Sequence, residues 1–303
     1  MPDSKAMGQW FDLMVAAPDF LAPSRREHEA RFEHPWPATV EEVSLARDGD
    51  QVVGGASYLL PQAENQHMLQ AELVVHPKYR RRGIGTGLMN DVVAAARRHG
   101  RSLIEVEVAR PGDGYDYLKH RGHRPGMTSI RSRLEVTDAE VPSPADGYSL
   151  VQWRDAVPSE IIGDVAALQG RLSLATSTGG PQVFDPDRVW AQEATQLGRG
   201  HRWYSTAARH DATGRIVART KLAFESDDDA QARQRITIVE PAHRGHGLGL
   251  AVKAANHAYA RSFEPRMRYI EAWNAENNTH MRAVNAKLGF KPVDEWCVFQ
   301  LPA

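Results

Sequence analysis

Val75-His76-Pro77-Lys78-Tyr79-Arg80-Arg81-Arg82-Gly83-Ile84-Gly85 reappears later in the chain as Val239-Glu240-Pro241-Ala242-His243-Arg244-Gly245-His246-Gly247-Leu248-Gly249. The proline, the arginine and two glycines keep their spacing. Downstream, Gly122-His123-Arg124-Pro125 answers to Gly289-Phe290-Lys291-Pro292. Upstream, Val52-Val53-Gly54-Gly55 and Ile216-Val217-Ala218-Arg219 each follow a glycine-containing turn. Landmarks repeated in one order mark a duplicated unit. The join is expected between Asp138 and Gly147, where Pro142, Ser143 and Pro144 punctuate the chain. That gives a first domain over 1–140, a linker over 141–146 and a second domain over 147–303.

Each half reads as a helix-rich entry, a hairpin, a strand, a glycine loop, a helix, a strand, a helix and a strand. The fold class is α/β, with a mixed (α+β) sheet. In the first half Glu72 to Val75 is a short strand stopped by Pro77. Leu88, Val92 and Ala96 recur at helical spacing, and Gly100 closes that helix. Leu103 to Val108 alternates Glu105 and Glu107 with apolar residues, a strand with one wetter face. The second half repeats this with Ile236 to Val239, then Leu248, Val252, Ala255 and Tyr259 on a helix, then Tyr269 to Trp273. Tyr148 to Trp153 reads as an opening strand of the second domain; no counterpart precedes Trp10 in the first.

The 303 residues suffice for two domains, and 42% hydrophobic with 25% charged residues is a globular composition. A net charge of −1 argues against nucleic acid, which needs a basic face. The single cysteine, Cys297, lies in the apolar stretch from Glu295 to Leu301 and is expected to be a buried structural thiol. Met1 to Lys5 lacks the basic-then-apolar pattern of an export signal, and no run of about twenty apolar residues exists to span a bilayer. The expectation is a cytoplasmic monomer or homodimer with no membrane partner.

A strand that leads through Arg-x-x-Gly-x-Gly into a helix has a physical use. First-turn N–H groups point outward unpaired and bind anions. Glycines let a ligand approach the main chain, and the arginine adds a donor for phosphate oxygens. The dinucleotide fingerprint fails, because Leu88 and Leu250 stand where its last glycine belongs, and the Gly-Lys-Ser/Thr of a triphosphate loop is absent.

On these motifs the chain resembles the GNAT acyltransferases, whose signature is a strand ending in Val-x-Pro, then Arg-x-x-Gly-x-Gly/Ala opening a helix, and later Leu-Gly-Phe. Val75-His76-Pro77 with Arg80, Gly83 and Gly85 matches, as does Val239-Glu240-Pro241 with Arg244, Gly247 and Gly249. Leu288-Gly289-Phe290 supplies the ending in the second half, and Arg121-Gly122-His123 is a poorer version in the first. The resemblance implies a sheet that splays after its central strand and an acetyl-CoA donor; no metal is expected, since no His/Cys/Asp cluster has metal-ligand spacing and His120 with His123 alone is no evidence. The pyrophosphate would sit on Arg80, Arg81, Arg82, Gly83, Ile84, Gly85 and Thr86, and on Arg244, Gly245, His246, Gly247, Leu248, Gly249 and Leu250. Main-chain groups of Leu73, Val74 and Val75, and of Ile238 and Val239, would hold the pantetheine and polarise the thioester carbonyl.

In such a family a substrate amine attacks the thioester directly, so a base must take the amine proton. A thiolate is already a tolerable leaving group. Glu72 is the base candidate of the first half; Glu240 and Glu271 are those of the second. Family members often carry a tyrosine general acid four residues before the glycine of Leu-Gly-Phe. Counting back gives Asn285 in the second half and Leu118 in the first, with Tyr117 adjacent. An asparagine seven residues earlier is matched by Asn278, while Pro111 occupies that place in the first half. The opening strand, the intact ending and Asn278 lead to the expectation that turnover resides mainly in the second domain. The acceptor is expected to be a small-molecule primary amine; a protein or peptide amine, or CoA binding with one or both domains inactive, are the alternatives.

Overall fold

The computed structural model describes residues 4–137, 142–176, 182–225 and 227–303. Helices α1 (Ser4–Ala16) and α2 (Arg25–Ala30) precede strands β1 (Thr39–Asp48), β2 (Gln51–Pro61) and β3 (Met68–Val75). Then come α3 (Ile84–Arg98), β4 (Leu103–Arg110), α4 (Asp113–His120) and β5 (Pro125–Glu135). The later part contains β6 (Tyr148–Arg154), α5 (Ile162–Thr176), α6 (Pro186–Gly198), β7 (Arg202–His210), β8 (Ile216–Phe224) and β9 (Gln231–Val239). It closes with α7 (Leu248–Phe263), β10 (Tyr269–Ala275), α8 (Thr279–Lys287) and β11 (Lys291–Pro302).

The chain forms two compact units, but not by a cut at 141–146. Met1–Ser129 joins Asp294–Ala303 in the first, and Ile130–Val293 forms the second. Residues 138–141 of the expected join lie outside the described residues. The difference comes from β11, which returns to the first unit and lies antiparallel to β4, from Glu295↔Arg110 to Pro302↔Leu103. Its inward residues Cys297, Phe299 and Leu301 complete an apolar cluster with Leu69, Ala71, Val92, Ile104, Val106 and Leu118. Cys297 is fully buried, as an apolar run requires.

In the first unit the strand order is β1-β2-β3-β4-β11, and β5 begins beside β11. Among the described residues no strand precedes β1; α1 lies there instead. Its Trp10 packs so closely on β2 that a Cβ at Gly55 would stand 2.6 Å from the indole nitrogen. In the second unit the order is β6-β7-β8-β9-β10, with the end of β5 beyond β10. Here α5 and α6 cover one face, packing Val165, Leu168 and Val189 on Trp153, Ala207 and Ile216. Helix α7 covers the other, packing Leu248 and Val252 on Ala208 and Ala218.

Candidate functional site

In both units the central strand meets its next neighbour over only part of its length. The parallel β3–β4 ladder runs from Met68↔Leu103 to Ala71↔Val106 and stops, while β2 continues to pair with β3 as far as Gly54↔Val75. Leu73, Val74 and Val75 therefore present one unpaired edge. The β9–β10 ladder likewise ends at Gln234↔Ala272, while β8 pairs on to Ala218↔Val239. An open edge at the end of a sheet accepts an extended ligand as an added strand. The second unit has an additional device. Thr220 faces Thr237 but Leu222 faces Gln234, so β9 carries one extra residue, a bulge that the first unit lacks in its β2–β3 ladder.

The loops after these strands are alike. Each makes one 3-10 turn, Pro77–Tyr79 or Pro241–His243, and then an arginine with extended backbone. Arg80 Nε donates to the Val75 carbonyl at 3.0 Å, and Arg244 Nε donates to that of Val239 at 3.3 Å. The following residue is left-handed in both, Gly245 at φ 85° and Arg81 at φ 62°. Gly83 (φ 83°) and Gly247 (φ 70°) then cap α3 and α7, and a Cβ added at either would meet nothing within 4 Å. The space beside both capping glycines is thus open, as close approach of a diphosphate to the main chain requires.

The arginines themselves are not equivalent. Arg80 spends its remaining donors on Asp19 (2.7 Å) and Asp113 (2.6 Å), so it clamps the loop to α4 and the α1–α2 connection. Arg81 and Arg82 remain exposed. Arg244 is exposed and makes no ion pair among the described residues. At the second loop the Tyr148 hydroxyl and His243 Nδ1 lie 2.9 Å apart, and His246 stacks obliquely on Tyr148.

The structure separates the expected proton-transfer residues sharply. Glu72 is exposed on β3, opposite Ser57 and on the sheet face shared with Val74, which α1 packs against. Alternation puts Glu105 and Glu107 of β4 on that same face. Glu105 is buried and takes hydrogen bonds from Gln70 (3.2 Å) and Gln300 (3.5 Å). Glu107 keeps an exposed tip, yet its carboxyl is pushed up, first by crowding that withholds hydration and then by the charges of Glu105 and Glu72. Sequence reading passed Glu107 over as a solvated strand residue. Tyr117 packs with the opposite, α3-covered face, and its hydroxyl is sealed from solvent with no hydrogen-bond partner. Arg121 lies over its ring at 4.9 Å and donates to Thr86 in the first turn of α3.

The second unit's candidates are otherwise engaged. Glu271 is fully buried and clasped by Arg131 (3.2 Å) and Arg133 (2.5 Å), with Gln231 donating as well. Glu271 thus stands in a buried ion pair with both arginines. Glu240 pairs with Arg171 at 2.8 Å. Asn278 caps α8, its side-chain carbonyl accepting from the Met281 N–H at 3.2 Å. That oxygen is thus engaged by the first turn of α8. Among the described residues no group of His, Cys, Asp or Glu has the arrangement of a metal site.

Comparison with known proteins agrees with this geometry. Residues 9–114 match the Acetyltransferase (GNAT) family. The chain is 24% identical over 300 residues to mycothiol acetyltransferase of Nocardia farcinica, covering 92% of this chain and 88% of the relative. It is 28% identical to that of Rhodococcus erythropolis over 267 residues, covering 80% and 79%. The solved structure of a tandem GNAT protein from the clavulanic acid biosynthesis pathway superposes with a TM-score of 0.87 at 32% identity, over 99% of this chain and 95% of that one. A GCN5-related N-acetyltransferase from Sphaerobacter thermophilus shares the fold at a TM-score of 0.70 and 15% identity, over 98% and 93%. With two splayed strands, two glycine-capped helices and the tandem GNAT relative at 32% identity over 99% of its length, the chain belongs to the GNAT family, as a tandem N-acetyltransferase.

Proposed function

We propose that the chain transfers an acetyl group from acetyl-CoA to the primary amine of a small molecule, and that the first unit carries the turnover. One observation supports this above others: the carboxylate row Glu72, Glu105, Glu107 and the unpartnered Tyr117 hydroxyl lie on opposite faces of the first unit's sheet. This reverses the expectation that the second domain does the work. The relatives named mycothiol acetyltransferase favour a small-molecule acceptor.

Bound acetyl-CoA supplies an acetyl group already activated as a thioester. The chain's own residues do the rest. The amides of residues 83–86 would hold the diphosphate, with the charges of Arg81 and Arg82 beside them. The unpaired edge of Leu73 to Val75 would hold the pantetheine and orient the carbonyl. Glu107, its carboxyl pushed up by its surroundings, takes the amine proton as nitrogen attacks carbon. The Tyr117 hydroxyl donates to the sulfur as the C–S bond breaks and its electron pair moves to sulfur. The second unit, with Glu240 and Glu271 in ion pairs, binds CoA without turnover.

Gly83→Asp and Gly247→Asp, assayed for free CoA release over a panel of amines, test the reading. Aspartate places bulk and negative charge where the diphosphate must meet the main chain. Gly83→Asp should abolish turnover and Gly247→Asp should leave most of it. The reverse pattern would move turnover to the second unit.

A further inference from the structure

Three positions in the second unit are polar where the first unit is apolar. Lys253 of α7 answers to Met89 of α3, counted from the capping glycines. Asn285 of α8 answers to Leu118 of α4, counted from the glycine after each helix. Asn274 of β10 answers to Val108 of β4, counted along the two parallel ladders. Met89, Leu118 and Val108 belong to one apolar cluster. Their counterparts form a hydrogen-bonded chain: Lys253 Nζ donates to Asn285 Oδ1 at 2.5 Å, and Asn285 Nδ2 donates to Asn274 Oδ1 at 2.6 Å.

The direction of this chain is dictated by its buried end. Lys253 is 1% exposed and donates from Nζ to the Asn285 side-chain oxygen. Asn285 must turn its oxygen to it and its amide nitrogen to Asn274, whose own amide nitrogen is then left as a donor. Asn274 stands two residues beyond the last β9–β10 pair, Gln234↔Ala272, on the α7 face and half-buried. The diphosphate-binding loop lies at the open end of the splay, so a pantetheine arm running inward brings its sulfur to this closed end. We infer that the second unit holds free CoA in preference to acetyl-CoA, with the Asn274 amide donating to a thiolate sulfur. The inference rests on the reading that the Gly247 loop holds a CoA.

The charge of the cluster agrees. Lys253 makes no ion pair among the described residues, and burial lowers it to about 7. Its neighbours give no counter-charge: His257, one turn on along α7, is lowered to about 3 by burial and then by Lys253, and Phe290, between α8 and β11, places its ring 5.0 Å from the Lys253 nitrogen. A thiolate at the far end of the chain supplies the missing negative charge. The ligand's S–H releases its proton to solvent, no other bond changes, and by linkage the thiol then titrates lower and Lys253 higher. Acetyl-CoA, with no ionisable sulfur, gains none of this.

The test uses the full chain carrying Gly83→Asp, so that only the second loop binds. Calorimetry near neutral pH should show CoA binding more tightly than acetyl-CoA, by up to roughly tenfold for each pH unit by which the bound thiol titrates below the free one. Ultraviolet absorbance of the thiolate should report that lowered midpoint directly. Asn274→Ala should restore the midpoint to that of free CoA. Replacing the trio by the first unit's residues (Lys253→Met, Asn274→Val, Asn285→Leu) should remove the preference and leave acetyl-CoA affinity unchanged. Equal affinity for the two ligands with an unshifted midpoint overturns the inference alone. If neither ligand binds, the CoA reading of the second loop falls with it.

Discussion

Glu107 shows how far a strand position can mislead. Alternation along Leu103 to Val108 announces a wet face, and a carboxylate on a wet face is ordinarily acidic. In the folded chain the same alternation aligns it with Glu105 and beside Glu72, and desolvation followed by these two charges pushes the Glu107 carboxyl up. Glu107→Gln should lower kcat by about 10²–10⁴-fold with little change in KM for acetyl-CoA, the scale of a lost general base. Its neighbours set where the rate rises. Removing a nearby negative charge lowers the Glu107 pKa, so Glu105→Gln should move the acid limb of the pH–rate profile to lower pH, and Glu72→Gln should do so by less. An unmoved limb in both variants would remove Glu107 from the mechanism. Tyr117 makes the complementary case. A sealed hydroxyl with no partner costs about 1–3 kcal/mol, so Tyr117→Phe should stabilise the unliganded protein by a fraction of that while slowing turnover. Denaturant midpoints and steady-state rates measured together would show whether the two effects have opposite signs.

At the scale of elements, α7 was legible as a helix and illegible as a chemical object. Leu248, Val252, Ala255 and Tyr259 mark its stripe, and the structure gives Leu248–Phe263. Periodicity reports a face but not how wide the buried face is. Lys253, Asn256 and His257 flank the stripe, and all three are buried. They are tolerated because the strands beneath offer partners: Thr206 and the Tyr204 carbonyl meet Asn256, and Gln234 meets His257 at 3.1 Å. Such partners come from β7 and β9, distant in sequence, and no local pattern encodes them. The repeated strand–loop–helix was readable for the opposite reason, since its proline, glycines and arginine act within a dozen residues. His257 gives this burial a measurable consequence. Its folded pKa is lowered to about 3 against an ordinary 6.5, chiefly by desolvation. Between those values the unfolded chain binds the extra proton, so stability rises with pH there and is lost on acidification below about 6.5. The slope should approach about 1.4 kcal/mol per pH unit for one proton, and His257→Gln should flatten it in urea titrations across that window. An unchanged slope would place the acid sensitivity elsewhere, His28 of α2 being the next group lowered by burial.

For the molecule as a whole, the path of the chain constrains how the two halves can be separated. The duplicated motifs invite a cut at 141–146, because each half carries its own loop, helices and strands. A strand's sequence records that it is apolar on one face; it does not record which sheet it enters. Trp296, Val298, Phe299 and Leu301 would have suited either unit by pattern alone, and only the structure shows β11 paired along β4. The first unit's cluster depends on it, with Phe299 and Cys297 at 0% exposure and Leu301 at 4%. A chain ended after Val293 removes these side chains and leaves β4 with an unpaired edge. Each large apolar side chain withdrawn costs about 1.5–3 kcal/mol of burial, a large fraction of the stability of an ordinary domain. Such a chain is expected to lose protection of β4 amides in hydrogen exchange and to lose the turnover that depends on Gly83. Phe299→Ala in the full chain should act in the same direction at about 3–5 kcal/mol. Protected β4 amides in the shortened chain would show that the first unit folds without β11, and a cut near 141–146 would then be the right one after all.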